Sequence, residues 1–167
     1  MERNIDNKHR RTIRLYGYDY SSDSCYFITL CTQEKKCLFG RIVDGTMQLN
    51  ELGKIVEQCW NEIPLHYPHT ELIECMIMPN HLHAILHIVG AEYLPPEETH
   101  EPNSAQRGTL GSIIKGFKIG VTKQIGHSIW QRNYYEHIIR NAREFDEIVR
   151  YIRSNPTRWC EDEMFCI

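Results

Sequence analysis

The stretch Pro79-Asn80-His81-Leu82-His83-Ala84-Ile85-Leu86-His87-Ile88 decides how this chain folds. Its residues alternate in character. In an extended strand successive side chains point to opposite faces, so Leu82, Ala84, Leu86 and Ile88 form an apolar face that must meet a core. His81, His83 and His87 share the other face. Residues 71–78 read as a strand, Pro79-Asn80 as a turn, and residues 81–89 as the strand that follows.

Working outward, Cys25-Tyr26-Phe27-Ile28-Thr29-Leu30-Cys31-Thr32 is rich in aromatic and β-branched residues and reads as another strand. Asp44-Gly45, flanked by LFGRIV and TMQLN, signals a β-hairpin. Residues 49–66 are spaced as a helix, with Leu52, Ile55, Val56, Cys59 and Ile63 on one side, Asn50 as N-cap and Pro64 limiting the far end. Leu110, Ile113, Ile114, Phe117 and Val121 predict a helix over 109–125, weakened by Gly111, Gly116 and Gly120. Residues 130–140 are ambiguous. Phe145, Ile148, Val149 and Ile152 predict a helix over 142–154. The order of β, hairpin, α, β, β, α, α predicts an α+β fold, an antiparallel sheet with packed helices.

The length of 167 residues suits one domain, here 1–167. Residues 90–108 hold Pro95, Pro96, Pro102 and several glutamates without apolar periodicity, and are expected to be a mobile loop within that domain. No apolar run approaches the ~20 residues that span a bilayer, and MERNIDNKHRR does not resemble a signal peptide. The expectation is a cytoplasmic protein that is not a membrane partner. Seven cysteines without a C-x-x-C pair predict neither a disulfide framework nor a cysteine zinc site.

A net charge of −3 excludes a uniformly basic nucleic-acid binder. The bases are nevertheless segregated. Arg10, Arg11 and Arg14 fall in a basic start, and Lys115, Lys118 and Arg132 in a stretch from Arg107 to Arg140 whose one acid is Glu136. These six are candidate phosphate contacts on an acidic protein, although a mixed solvated surface gives the same pattern.

Two constellations carry chemistry. His81 and His83 stand roughly 7 Å apart along one strand face and can converge on a divalent ion, given a third ligand from elsewhere. A chance H-x-H among nine histidines is the plainer account, and His87 is a weaker candidate further along. Tyr151 and Asn155 are four residues apart and so share one side of a helix. The plainer account makes Tyr151 a boundary core residue and Asn155 a helix C-cap before Pro156.

Together, MPNHLHAILHI, WQRNYYEHIIRN and YIRSNP, in this order, resemble the REP-associated tyrosine transposases. These are relatives of the insertion-sequence single-tyrosine transposases in the histidine–hydrophobic–histidine nuclease superfamily. The resemblance runs from RRTIRLYGYDY through YFITLCTQ to NPTRW, nearly the whole chain. It implies a ferredoxin-like sheet with the histidine pair on a central strand. It also implies His81, His83 and Asn155 as ligands of a divalent metal, Mg²⁺ or Mn²⁺, and Tyr151 as nucleophile. The family sometimes carries glutamine at the position of Asn155. Tyr134 and Tyr135 compete with Tyr151 but lack an amide partner four residues on.

The implied activity is nicking and strand transfer of single-stranded DNA through a 5′-phosphotyrosine. The implied partner is single-stranded DNA, sometimes beside a hairpin, with the protein a monomer or homodimer. The alternatives are a non-catalytic single-strand-binding module on the same fold, or a metal-dependent nuclease in which water attacks.

Overall fold

In the computed structural model the described residues are 23–89, 108–162 and 165. The candidate contacts Arg10, Arg11 and Arg14, and all but the last residue of the expected loop at 90–108, lie outside them. Strand β1 (Ser24–Cys31) pairs antiparallel with β5 (His81–Ile88) on one side and with β6 (Tyr135–Ile139) on the other. Strand β4 (Thr70–Ile77) completes the sheet in the order β4-β5-β1-β6. The main elements run β-α-β-β-α-β in the chain, and β5 is an interior strand, as the ferredoxin-like expectation requires.

One face of the sheet holds the core. Tyr26, Ile28 and Leu30 of β1 and Leu82, Ala84, Leu86 and Ile88 of β5 are fully buried, in the alternation the sequence predicts. Helices α1 (Glu51–Asn61) and α3 (Leu110–Ile125) cover this face with Val56, Trp60, Ile113, Ile114, Phe117 and Val121. The Trp60 and Phe117 rings meet edge to face at 5.4 Å between centroids.

The single helix expected over 49–66 is two. Asn50 caps α1, its side chain accepting from the Gly53 amide at 2.9 Å, but the helix stops at Asn61 and restarts as α2 (Ile63–His66). Pro64 has no amide hydrogen and its ring would strike the carbonyl one turn back, so it is accommodated only in the first turn of a new helix. In α3 the glycines do not prevent a helix. A Cβ on Gly116 would come within 2.4 Å of the Tyr67 hydroxyl, which donates to the Ser112 carbonyl, so a bare backbone is needed there.

Strands β2 (Gly40–Val43) and β3 (Thr46–Leu49) form the expected hairpin, with positive φ at Asp44 and Gly45 as a tight turn of this hand demands. The ambiguous 130–140 segment resolves into an isolated bridge from Trp130 to Thr32 and the edge strand β6. Cys25, Cys31, Cys59, Cys75 and Cys160 are free thiols. Cys37 is disulfide-bonded, which the scattered spacing did not foretell. No helix among the described residues is long and apolar enough to cross a membrane.

Helix α4 (Ala142–Ser154) lies on the face of the sheet opposite the core, against β4 and β5. Asn141 caps its start by accepting from the Glu144 amide, and Arg153 ties it to β4 through Glu74 at 2.7 Å. Ile152 is the fully buried member of its apolar stripe.

Candidate active site

Alternation in β1 and β5 puts Phe27, Thr29 and Cys31 beside His81 and His83 on the face turned towards α4. Register sets the neighbours: Thr29 stands opposite His83, and Cys31 opposite His81. The two imidazoles meet at 4.4 Å between ring centroids. Across from them, α4 presents Tyr151 with its hydroxyl 3.3 Å from Nε2 of His83. Tyr151 is 44% exposed and opens on a cleft of about 680 Å³ that His83, Asn155, Tyr135 and Asp162 also line.

Asn155 ends α4 with its side chain turned inward, and Pro156 then opens a 3-10 turn (Pro156–Glu161). That turn lays the Trp159 ring over His81 at 5.9 Å between centroids and returns the chain so that Asp162 faces the histidines. A carboxylate oxygen of Asp162 and one nitrogen from each of His81 and His83 all lie within 4.8 Å of one another.

Hydrogen bonds assign the atoms. The Asn80 Nδ2 group donates to the Lys35 carbonyl at 3.0 Å, so Oδ1 is the atom that faces Nδ1 of His81 at 2.8 Å. A carboxamide oxygen only accepts, hence His81 carries its proton on Nδ1 and a bare lone pair on Nε2. That Nε2 is buried without a hydrogen-bond partner among the described residues. The same logic fixes Asn155: Nδ2 donates to Asp162 Oδ2 at 2.9 Å, which leaves Oδ1 buried without a hydrogen-bond partner among the described residues. In His83, Nδ1 bonds the Thr29 hydroxyl at 2.8 Å and Nε2 bonds the Tyr151 hydroxyl at 3.3 Å. Hydroxyls both donate and accept, so the tautomer with its proton on Nδ1, the one that leaves Nε2 able to ligate, satisfies both bonds, as does the other.

Burial pushes the His81 pKa down to about 4 against the opposing pull of the Asp162 carboxylate, with Lys35 lowering it further. His83 is held well below the usual histidine value by burial and then by His81. Both rings are therefore neutral near pH 7, the form that ligates metal. Buried lone pairs without donors are costly in a protein interior. Two of them, on His81 and Asn155, beside a carboxylate and a second neutral imidazole, make a donor set that fits a divalent cation.

The other candidates divide. His87 shares the histidine face but not the cluster; its ring binds Glu71 at 3.0 Å and Asp23 at 2.6 Å. Burial lowers its pKa, yet those carboxylates outweigh burial and leave it raised. Tyr134 lies under the Lys118 ammonium, 5.6 Å from ring centroid to Nζ. Tyr135, half-exposed at the start of β6, meets Phe27 edge-on at 6.0 Å. Lys118 itself donates to the Gln131 carbonyl at 2.8 Å, and burial lowers its pKa to about 8; it holds a loop rather than presenting a free cation. Lys115 and Arg132 are exposed.

Three residues of the cluster went unread in the sequence. Thr29 and Asn80 each hold a histidine by its second nitrogen, the usual arrangement around imidazole ligands. Asn80 was visible only as a turn residue. Asp162 belongs to no sequence pattern and arrives through the turn that follows α4.

No family model matches the chain. It is 45% identical over 168 residues to an uncharacterized protein of Haemophilus influenzae, spanning 94% of this chain and 93% of that one. A protein of the same organism assigned as a REP-associated tyrosine transposase is 24% identical over 151 residues, across 86% of this chain and 76% of that protein. A solved REP-associated tyrosine transposase bound to a REP hairpin shares the fold, with a TM-score of 0.63 and 18% identity over 87% of this chain and 74% of that one. In sequence and fold, then, the chain belongs to one family with its 45%-identical Haemophilus influenzae homologue and is a relative of the REP-associated tyrosine transposases.

Proposed function

We propose that this chain nicks single-stranded DNA and transfers the broken strand, with Tyr151 as nucleophile and with His81, His83 and Asn155 holding a Mg²⁺ or Mn²⁺ ion. The observation that carries this is the Tyr151 hydroxyl lying 3.3 Å from a histidine whose neighbour has a buried, unpartnered ring nitrogen. A tyrosine used for packing keeps its ring buried. This one is half-exposed at a cleft, with its hydroxyl turned towards a donor set.

A bound divalent ion would neutralise and orient the scissile phosphate, whose negative oxygens otherwise repel a nucleophile. The rest falls to the chain. Phe27 meets the rings of His83 and Tyr151 at 5.5 and 6.1 Å between centroids, which restricts the tyrosine to an approach along the cleft. The lone pair on His83 Nε2 accepts either the tyrosine proton or a metal ion, not both. A bound ion would therefore replace this hydrogen bond, which holds the hydroxyl next to the ligand atom.

On attack, the Tyr151 oxygen–phosphorus bond forms and the phosphorus–O3′ bond breaks. The phenolic proton is lost, and the departing 3′ oxygen gains a proton to become a hydroxyl. One phosphoester replaces another, so rejoining requires no nucleotide cofactor. Lys115, Arg132, Arg10, Arg11 and Arg14 are the basic residues available for the strand, with Tyr135 as an exposed ring on which a base can stack. The transposase relative bound to a REP hairpin supports a nucleic-acid partner for this fold.

The test is Tyr151→Phe with labelled single strands, Mn²⁺ and a denaturing gel. The wild type is expected to form a covalent protein–DNA adduct at Tyr151, and the variant to bind the strand but neither cut nor attach. Cleavage by the variant with a free 5′ end would mean that water attacks. No cleavage by either would leave a binding module.

A further inference from the structure

We propose that Asp162 is a fourth protein ligand of the divalent ion, the anionic one, and that it also sets the Asn155 amide so that its oxygen faces the same ion. This rests on the metal site proposed above.

Two independent observations meet here. The Asp162 carboxylate lies within 4.8 Å of the ligand nitrogens of both histidines, close enough for one ion to touch all three after small side-chain movements. The same carboxylate accepts from Asn155 Nδ2 at 2.9 Å, and that bond fixes the amide with Oδ1 as a buried acceptor that has no hydrogen-bond partner among the described residues. An ionised carboxylate has about four lone-pair directions, and accepting the amide takes up one of them.

Charge gives the reason. Two neutral imidazoles and an amide would leave a full double charge among side chains that are 0–4% exposed. Interior charge is tolerated when it is paired. One carboxylate lowers the net charge of the centre to a single positive unit, still attractive to a phosphodiester. Oxygen anions also favour Mg²⁺ and Mn²⁺ over softer metals. The route is the turn after α4: Pro156 and Trp159 are buried, and their packing brings residue 162 back to the sheet.

Mn²⁺ binding to the full chain, followed by calorimetry and by the Mn²⁺-induced rise in Tm, tests this. Asp162→Asn keeps the shape and an oxygen that accepts from Asn155, and is expected to weaken Mn²⁺ binding at least about tenfold, with little change in the metal-free Tm. Asp162→Glu should recover part of the loss. Combining Asp162→Asn with Asn155→Ala should bind more weakly than Asn155→Ala alone. Equal binding by those last two would reduce Asp162 to a positioning residue and overturn its role as a ligand. Wild-type affinity in Asp162→Asn, with binding lost in His81→Ala, would remove Asp162 but leave the histidine site standing. Failure of the wild type to bind Mn²⁺ would remove both.

Discussion

Thr29→Val is the sharpest probe of how the sheet holds its histidines. Thr29 is 6% exposed, stands opposite His83 in the β1–β5 register, and bonds His83 Nδ1 at 2.8 Å. Valine keeps the β-branched shape and removes only the hydroxyl. In the metal-ligating tautomer, with its proton on Nδ1, the buried N–H then has two outcomes. It can stay unsatisfied, at about 1–3 kcal/mol of stability. Or the ring can shift its proton to Nε2, where the Tyr151 oxygen can accept it. The second route spares the metal-free protein but blocks the lone pair that a metal requires. Either way, bound metal demands the tautomer that the substitution disfavours, so Mn²⁺ affinity should fall about 10–100-fold. Calorimetric titration reads the affinity, and urea unfolding of the metal-free protein reads the stability. Thr29→Ser restores a hydroxyl and should return both towards wild type. Unchanged Mn²⁺ affinity in Thr29→Val would refute the assignment of Nδ1–H as the bond that prepares His83.

The other expectations can be checked on the same material. Metal-free stability should fall on acidification, because the unfolded His81 takes a proton near pH 6.5 while the folded ring, held down by burial, does so at about 4. The unfolded state binds more protons across that window, so stability lost between pH 6.5 and 4 amounts to about 3 kcal/mol for His81 alone, with His83 adding in the same direction; a flat urea-midpoint profile would contradict this. Leu82→Ala, on the core face between the two histidines, should cost about 2–5 kcal/mol of stability yet leave Mn²⁺ affinity of the folded protein unchanged; a large affinity loss would show that the two faces are not independent. His81→Ala should abolish Mn²⁺ binding and DNA cleavage, with retained binding sinking the ligand assignment.

The predictions differ in where they could have been made. A period of two in residues 81–88 was enough to separate the core leucines from the histidines, because a strand has only two faces and water decides which residues share the apolar one. Helical spacing likewise put Tyr151 and Asn155 on one side of α4, and Asp44-Gly45 marked the hairpin through its demand for positive φ. Local geometry repeats along a chain, and whatever it dictates can be read there. The pairing partners were not legible in this way. That Thr29 faces His83 depends on a register across 54 residues, and that Asn80 aims its oxygen at His81 depends on Lys35 taking the amide hydrogens. The turn after α4 that returns Asp162 to the sheet is set by the burial of Pro156 and Trp159, not by any spacing between Asp162 and the histidines. Lys118 looked like a phosphate contact by charge alone, yet packing directs its ammonium to the carbonyls of Gln131 and Arg132. The sequence by itself determined which residues share a face. Tertiary packing decided which second partners hold them, because such contacts depend on how distant elements dock and leave no period in the chain.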